Sequence, residues 1–71
     1  MMTVGQKIKK IRKLEKCWSR ETLAILLDIN IRTIQNWENG LTQPTLRHFA
    51  KLLQAFEISV DEFMEGVDID A

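Results

Sequence analysis

A single cysteine, Cys17, leaves this chain without an internal disulfide, and a single histidine leaves it without a Cys/His cluster for a structural zinc. One proline and three glycines accompany a sequence with no low-complexity tract, no internal repeat and no β-type alternation. Apolar runs are short: Leu23 to Leu27 is typical, far below the roughly 20 residues needed to cross a bilayer. No secretory signal precedes them, so a soluble, reducing, cytoplasmic setting is the expectation. No nucleophile with an adjacent base stands out, and no cofactor or metal set either, so an enzyme is not expected. A chain of 71 residues holds one hydrophobic core. Such a core supplies roughly 3–5 kcal/mol, to which self-association is a common addition.

The formal net charge of zero conceals an asymmetry. Residues 1 to 36 carry eight basic and three acidic side chains, and residues 37 to 71 carry two basic and seven acidic ones. One half suits a polyanion and the other faces something else, although a solvated basic helix explains the same counts.

What the sequence does contain is helical periodicity. Val4, Ile8 and Ile11 mark a first helix from about Val4 to Leu14 with lysines outside. Ser19 caps a second helix running to about Leu27, with Trp18 and Leu23 placed as a hydrophobic staple. After Asp28-Ile29-Asn30, a third helix runs from Ile31 to about Glu38 and ends at Asn39-Gly40. Thr45 caps a fourth, in which Leu46, Phe49, Ala50, Leu53 and Phe56 form a stripe. Ser59 and Glu62 make a capping box for a fifth that holds Phe63 and Met64. Residues 1–65 are thus expected to form one all-α domain of five short helices, and residues 66–71 a frayed acidic tail.

The informative stretch is Arg20 to Asn39, two helices and a three-residue turn. Its inward positions hold Leu23, Ala24, Leu27, Ile29, Ile34 and Trp37, and Ala24 lets the two helices approach. The outward positions of the second of these helices hold Asn30, Ile31, Arg32, Gln35, Asn36 and Asn39. An ordinary surface helix would carry Glu and Lys there; amides and arginine are the groups that read base edges in a major groove.

The pattern Ser19-Arg20-Glu21-Thr22-Leu23-Ala24, Ile34, Trp37-Glu38-Asn39-Gly40 and Pro44-Thr45-Leu46 resembles the Cro/phage-repressor, or XRE-like, helix-turn-helix family, and the likeness extends to Ile58–Phe63. The resemblance implies a λ-repressor-like fold, and a regulator, usually a repressor, that binds pseudo-palindromic double-stranded DNA as a homodimer with its third helix in the major groove. It assigns base contacts to Ile31, Arg32, Gln35 and Asn36, and phosphate contacts to Ser19, Arg20, Asn30, Thr33, Asn39 and Gln43. It also implies a salt bridge between Arg12 and Glu38.

Three departures stand out against that family. Cys17, Asp28 and Glu57 occupy helix ends where glycine is common, so a positive φ there would be strained. One residue is added before Cys17. Ile25 and Leu26 replace polar residues, which reads either as partial burial against the first helix or as a protein-contact surface. The apolar set Phe63, Met64 and Val67 is the expected dimer contact. Cys17 is read as a packing residue and His48 as an outer-face residue of the fourth helix. A helical adaptor, antitoxin-like or coactivator-like, is the alternative function; it draws on the neutral charge and on Ile25 and Leu26.

Overall fold

The computed structural model describes residues 2–68. Five α-helices are present: α1 (Val4–Lys10), α2 (Arg20–Leu27), α3 (Ile31–Glu38), α4 (Leu46–Phe56) and α5 (Val60–Met64). Every one begins with a residue whose side-chain oxygen accepts a backbone N–H of the first turn: Thr3, Ser19, Asn30, Thr45 and Ser59. Thr3 with Gln6 and Ser59 with Glu62 form reciprocal capping boxes. Short helices need such caps, because few internal hydrogen bonds offset the open ends.

The first helix does not run as an α-helix to Leu14. From Ile11 to Glu15 it widens into a π-helical turn, and the Lys16 N–H donates to the Ile11 carbonyl at 2.9 Å. Cys17 then reverses the chain with φ 57°, and the Trp18 N–H returns to the Arg12 carbonyl at 2.8 Å. That reversal turns Cys17 outward, so it is exposed and not a packing residue. Asp28 (φ 54°) and Glu57 (φ 58°) make the same left-handed reversal after α2 and α4.

The core joins Ile8 and Ile11, Leu23, Ala24 and Leu27 of α2, Ile34 and Trp37 of α3, Leu52 and Phe56 of α4, and Phe63 of α5. Gly5 allows α1 to approach α3 closely: a Cβ there would run into the carbonyl oxygen of Trp37. Lys7, nearly buried, donates from Nζ to the Glu65 carbonyl at 2.8 Å and so ties α1 to the end of α5.

Several expectations about side-chain placement are corrected. In α4 the inward stripe is Phe49, Leu52, Leu53 and Phe56; Leu46 and Ala50 are exposed. The period fits both choices, but only the first aims at Phe63, which meets Phe49 edge to face at 5.1 Å, and at Trp18, which stacks on Phe56 at 6.1 Å between centroids. Trp18 is only half-buried. His48 is half-buried as well, its ring 5.4 Å from that of Trp37. Phe63 has 0% exposure, and Met64 packs partly buried against the core. Val67 pairs with Met2 in an isolated parallel bridge, with the Met2 N–H donating to the Gly66 carbonyl and the Asp68 N–H to the Met2 carbonyl. Phe63 is therefore taken up by the core, while Met64 and Val67 stay partly exposed, and residues 66–68 are fastened to the N-terminal segment instead of fraying. Residues 69–71 of the expected tail lie outside the described residues.

Candidate nucleic-acid interface

The three-residue connection after α2 sets the orientation of α3. Asp28 and Ile29 donate their N–H groups back to the carbonyls of Ile25 and Ala24, at 3.2 and 3.0 Å, and Asn30 then accepts the Arg32 N–H at 2.8 Å. The turn is thus bonded at both ends. Within α3, Ile34, Trp37 and Glu38 are buried and define the inward arc. At about 100° per residue, Arg32 and Asn36 fall opposite that arc. Gln35 and Ile31 flank them toward one edge and Thr33 toward the other. Arg32 is exposed; Ile31, Thr33, Gln35 and Asn36 are half-buried.

Glu38 is the only acid of α3, and it points away from the outer face. Its side chain has 0% exposure and accepts from two arginines. Arg12 donates from Nε to Oε2 at 2.8 Å and from Nη2 to Oε1 at 3.1 Å; Arg20 donates from Nε to Oε1 at 2.9 Å. The Arg12 Nη1 donates to the Trp18 carbonyl at 2.8 Å. The result is a three-helix tie carrying one surplus positive charge. It leaves no buried side-chain nitrogen or oxygen unpaired among the described residues.

This surplus charge lies at an open cleft of about 720 Å³ lined by Lys9, Arg12, Lys13, Ser19, Arg20 and Ile31, among others. Four cations against Glu21 at the cleft and Glu38 beneath it make the surface attractive to a polyanion. The N-terminus of α2 opens into the same cleft and adds its partial positive charge.

A family model described as helix-turn-helix matches residues 8–63 of this chain, from α1 to α5. The chain belongs to the XRE-like helix-turn-helix family. It is also similar to an uncharacterized HTH-type transcriptional regulator of Rickettsia prowazekii (strain Madrid E). The identity is 29% over 65 residues, covering 92% of this chain and 49% of that protein. The chain therefore spans about half the length of that curated relative.

Within this helix-turn-helix, the residues singled out from the sequence fall into three groups. Arg32 and Asn36 share the centre of the outer face of α3, with Gln35 beside them. Ser19, Arg20 and Ile31 meet at the cleft. Asn39 and Gln43 are exposed at and beyond the end of α3. Two assignments carry added structural duties. The Ser19 hydroxyl accepts the Thr22 N–H at 3.0 Å, and the Asn30 carboxamide oxygen accepts that of Arg32, so both oxygens serve as caps. Arg20 is not a free surface cation, since Glu38 takes its Nε and its side chain is 30% exposed. The sequence reading did not assign Lys9 and Lys13 to the site. Their spacing of four put them on one face of α1, but only the fold brings that face to Ser19 and Arg20.

Proposed function

We propose that this chain is a sequence-specific DNA-binding transcriptional regulator, acting as a repressor. It binds a pseudo-palindromic site as a homodimer with α3 in the major groove. The observation that carries this reading is the outer face of α3. Arginine and amides stand on it, its one acid is turned inward and neutralised by two arginines, and its opposite side is locked into the core. Eight residues of helix extend about 12 Å, which suits a groove about 12 Å wide. The helix-turn-helix family membership and the regulator named among its relatives support the same reading.

In this role Arg32 donates two hydrogen bonds to a guanine and Asn36 reads an adenine. Ile31 supplies apolar contact at the edge, suited to a thymine methyl group. Lys9, Lys13 and Arg20 hold the sugar–phosphate backbone across the cleft and set the register without carrying sequence information. Two-fold binding places half-sites about one helical turn, roughly 34 Å, apart. Selection from a random duplex library should yield an inverted repeat, and affinity for it should fall steeply with salt. Recovery of a site without inverted symmetry, protected over only one half-turn, would overturn the dimeric reading.

A second reading rests on Ile25 and Leu26, which are 78% and 53% exposed on α2. Two adjacent exposed apolar residues suit a helical adaptor whose business is protein contact. An adaptor of that kind would show no preference between selected and scrambled duplexes.

A further inference from the structure

Phe63, first expected to join two copies, is buried and Met64 and Val67 are only partly exposed, whereas Leu26 is 53% exposed at a groove between α2 and α4. The groove, about 550 Å³, runs between the C-terminal ends of α2 and α4, with Trp18, Leu26 and Ala55 as its apolar floor. Its rim carries two cations, Lys16 and Lys51, and two carboxylates, Asp28 and Glu57. None of these four forms an ion pair within the chain among the described residues; the salt bridges all converge on Glu38. Lys16 instead lies over the Trp18 ring, 5.8 Å from its centroid.

The backbone adds a second observation. Asp28 and Glu57 are both held at positive φ, a conformation in which glycine is unstrained and other residues lose roughly 1 kcal/mol or more. The third non-glycine residue in that conformation, Cys17, lies between the lining residues Lys16 and Trp18. Two chain reversals thus border one groove, and at both a carboxylate stands on the rim where a glycine would be less strained. Strained positions that cluster at one surface are a pointer to its use.

We infer that this groove is the face through which two copies of the chain associate, with Leu26 of each seated against Trp18 and Ala55 of the other. The inference rests on the homodimeric reading proposed above and gives that dimer its surface. A balanced rim argues for a second copy over a partner of one charge sign: a two-fold axis sets the lysines of one copy against the carboxylates of its partner, and the reverse. A standard interface takes roughly 800 Å² from each partner. That is about one sixth of the 4794 Å² surface, and Ile25 with the adjoining hollow lined by Ala24, Asp28 and Ile29 extends the patch as far as the α3 cap Asn30. No residue of α3 lines the groove, so association there leaves Arg32 and Asn36 free for DNA.

Sedimentation equilibrium of the full chain, with circular dichroism as the check on folding, tests the inference. Leu26→Asp, at a half-exposed position, should keep the helical signal and weaken dimerisation by at least roughly tenfold, as loss of a central apolar anchor does. Lys51→Glu and Glu57→Lys should each weaken it separately. Mixed in equal amounts, these two should dimerise with each other, because every cross-pair is then of opposite sign. A wild-type dimer that survives Leu26→Asp, or two charge variants that fail to recover on mixing, would overturn the proposed face while leaving the homodimer standing. A wild type that is monomeric both free and on its selected site would overturn the homodimer itself and make another protein the occupant.

Discussion

Replacing Glu38 by alanine withdraws one carboxylate from two arginines at once, and the two are left in different positions. The Arg12 side chain is 8% exposed and keeps only its bond to the neutral Trp18 carbonyl. A buried guanidinium without a counter-charge costs about 3–5 kcal/mol. The Arg20 side chain, 30% exposed, turns to solvent at a cost of about 1 kcal/mol or less. A core of this size offers roughly 3–5 kcal/mol in total, so Glu38→Ala should be largely unfolded at room temperature. Arg12→Ala should be milder, about 2–3 kcal/mol, because Glu38 retains the Arg20 partner on Oε1. The asymmetry is the specific claim: losing the shared acid hurts more than losing either base. Urea melts followed by circular dichroism on Arg12→Ala, Arg20→Ala, Glu38→Gln and the Arg12→Ala/Glu38→Gln double variant measure the coupling, and the helical signal in buffer alone reads Glu38→Ala. The double variant should lose less than the sum of its singles by about 1–3 kcal/mol. Additive losses, or a Glu38→Ala variant within about 1 kcal/mol of wild type, would refute the claim that this tie holds the π-helical turn, α2 and α3 together.

Four further outcomes follow from the same geometry. Arg32→Ala and Asn36→Ala should each lose about 1–3 kcal/mol on the selected duplex and relax preference at one base pair; equal losses on all duplexes would remove α3 as the reading element. Lys13→Ala should weaken binding to every duplex alike and reduce the salt slope by about one unit, measured by titration at several salt concentrations. Gly5→Ala should destabilise by about 1–3 kcal/mol or more in thermal melts, since its methyl group meets the Trp37 backbone and not a side chain that could move aside. Glu57→Gly should raise the stability of the monomer, melted below the concentration at which it dimerises, by a few tenths to about 1 kcal/mol, the relief of the left-handed backbone outweighing the added freedom of the unfolded chain; destabilisation there would mean that the Glu57 side chain contributes to the monomer.

Much of this architecture was legible in the sequence because it is written in local chemistry. The starts of α2, α4 and α5 follow from a Ser or Thr whose oxygen reaches a free N–H three residues on, and those spacings are read directly; the Thr3 cap of α1 was not. The amide-rich face of α3 and the Arg12–Glu38 pair were legible as a family pattern. What was hidden depends on partners distant in the chain. Whether Leu46 or Leu52 turns inward in α4 is undecided by periodicity and is fixed by Phe63 and Trp18. Phe63 itself looked available for a dimer because nothing local shows that Phe49 lies against its ring. The second arginine on Glu38 was hidden for the same reason, since Arg20 lies 18 positions away and its sequence context pointed to phosphate.

The π-helical turn before Cys17 shows how the distant contacts constrain the local ones. In a continuous α-helix one extra residue rotates everything after it by about 100°, which would carry Trp18 away from Phe56 and turn Ser19 and Arg20 away from Lys9 and Lys13. Two anchors oppose that rotation. Arg12 is fixed by Glu38, and Trp18 is fixed to Arg12 twice, through its N–H to the Arg12 carbonyl and its carbonyl to the Arg12 guanidinium. The chain between them absorbs the surplus as a π-helical turn, whose hydrogen bond encloses one residue more than an α-helical one. Leu14, within that turn, is 68% exposed, an apolar side chain left in solvent while both anchors hold their register. The same tie that buries Glu38 therefore keeps Ser19 and Arg20 at the cleft where a phosphate backbone would pass, and the irregular helix is the consequence of holding that cleft in place.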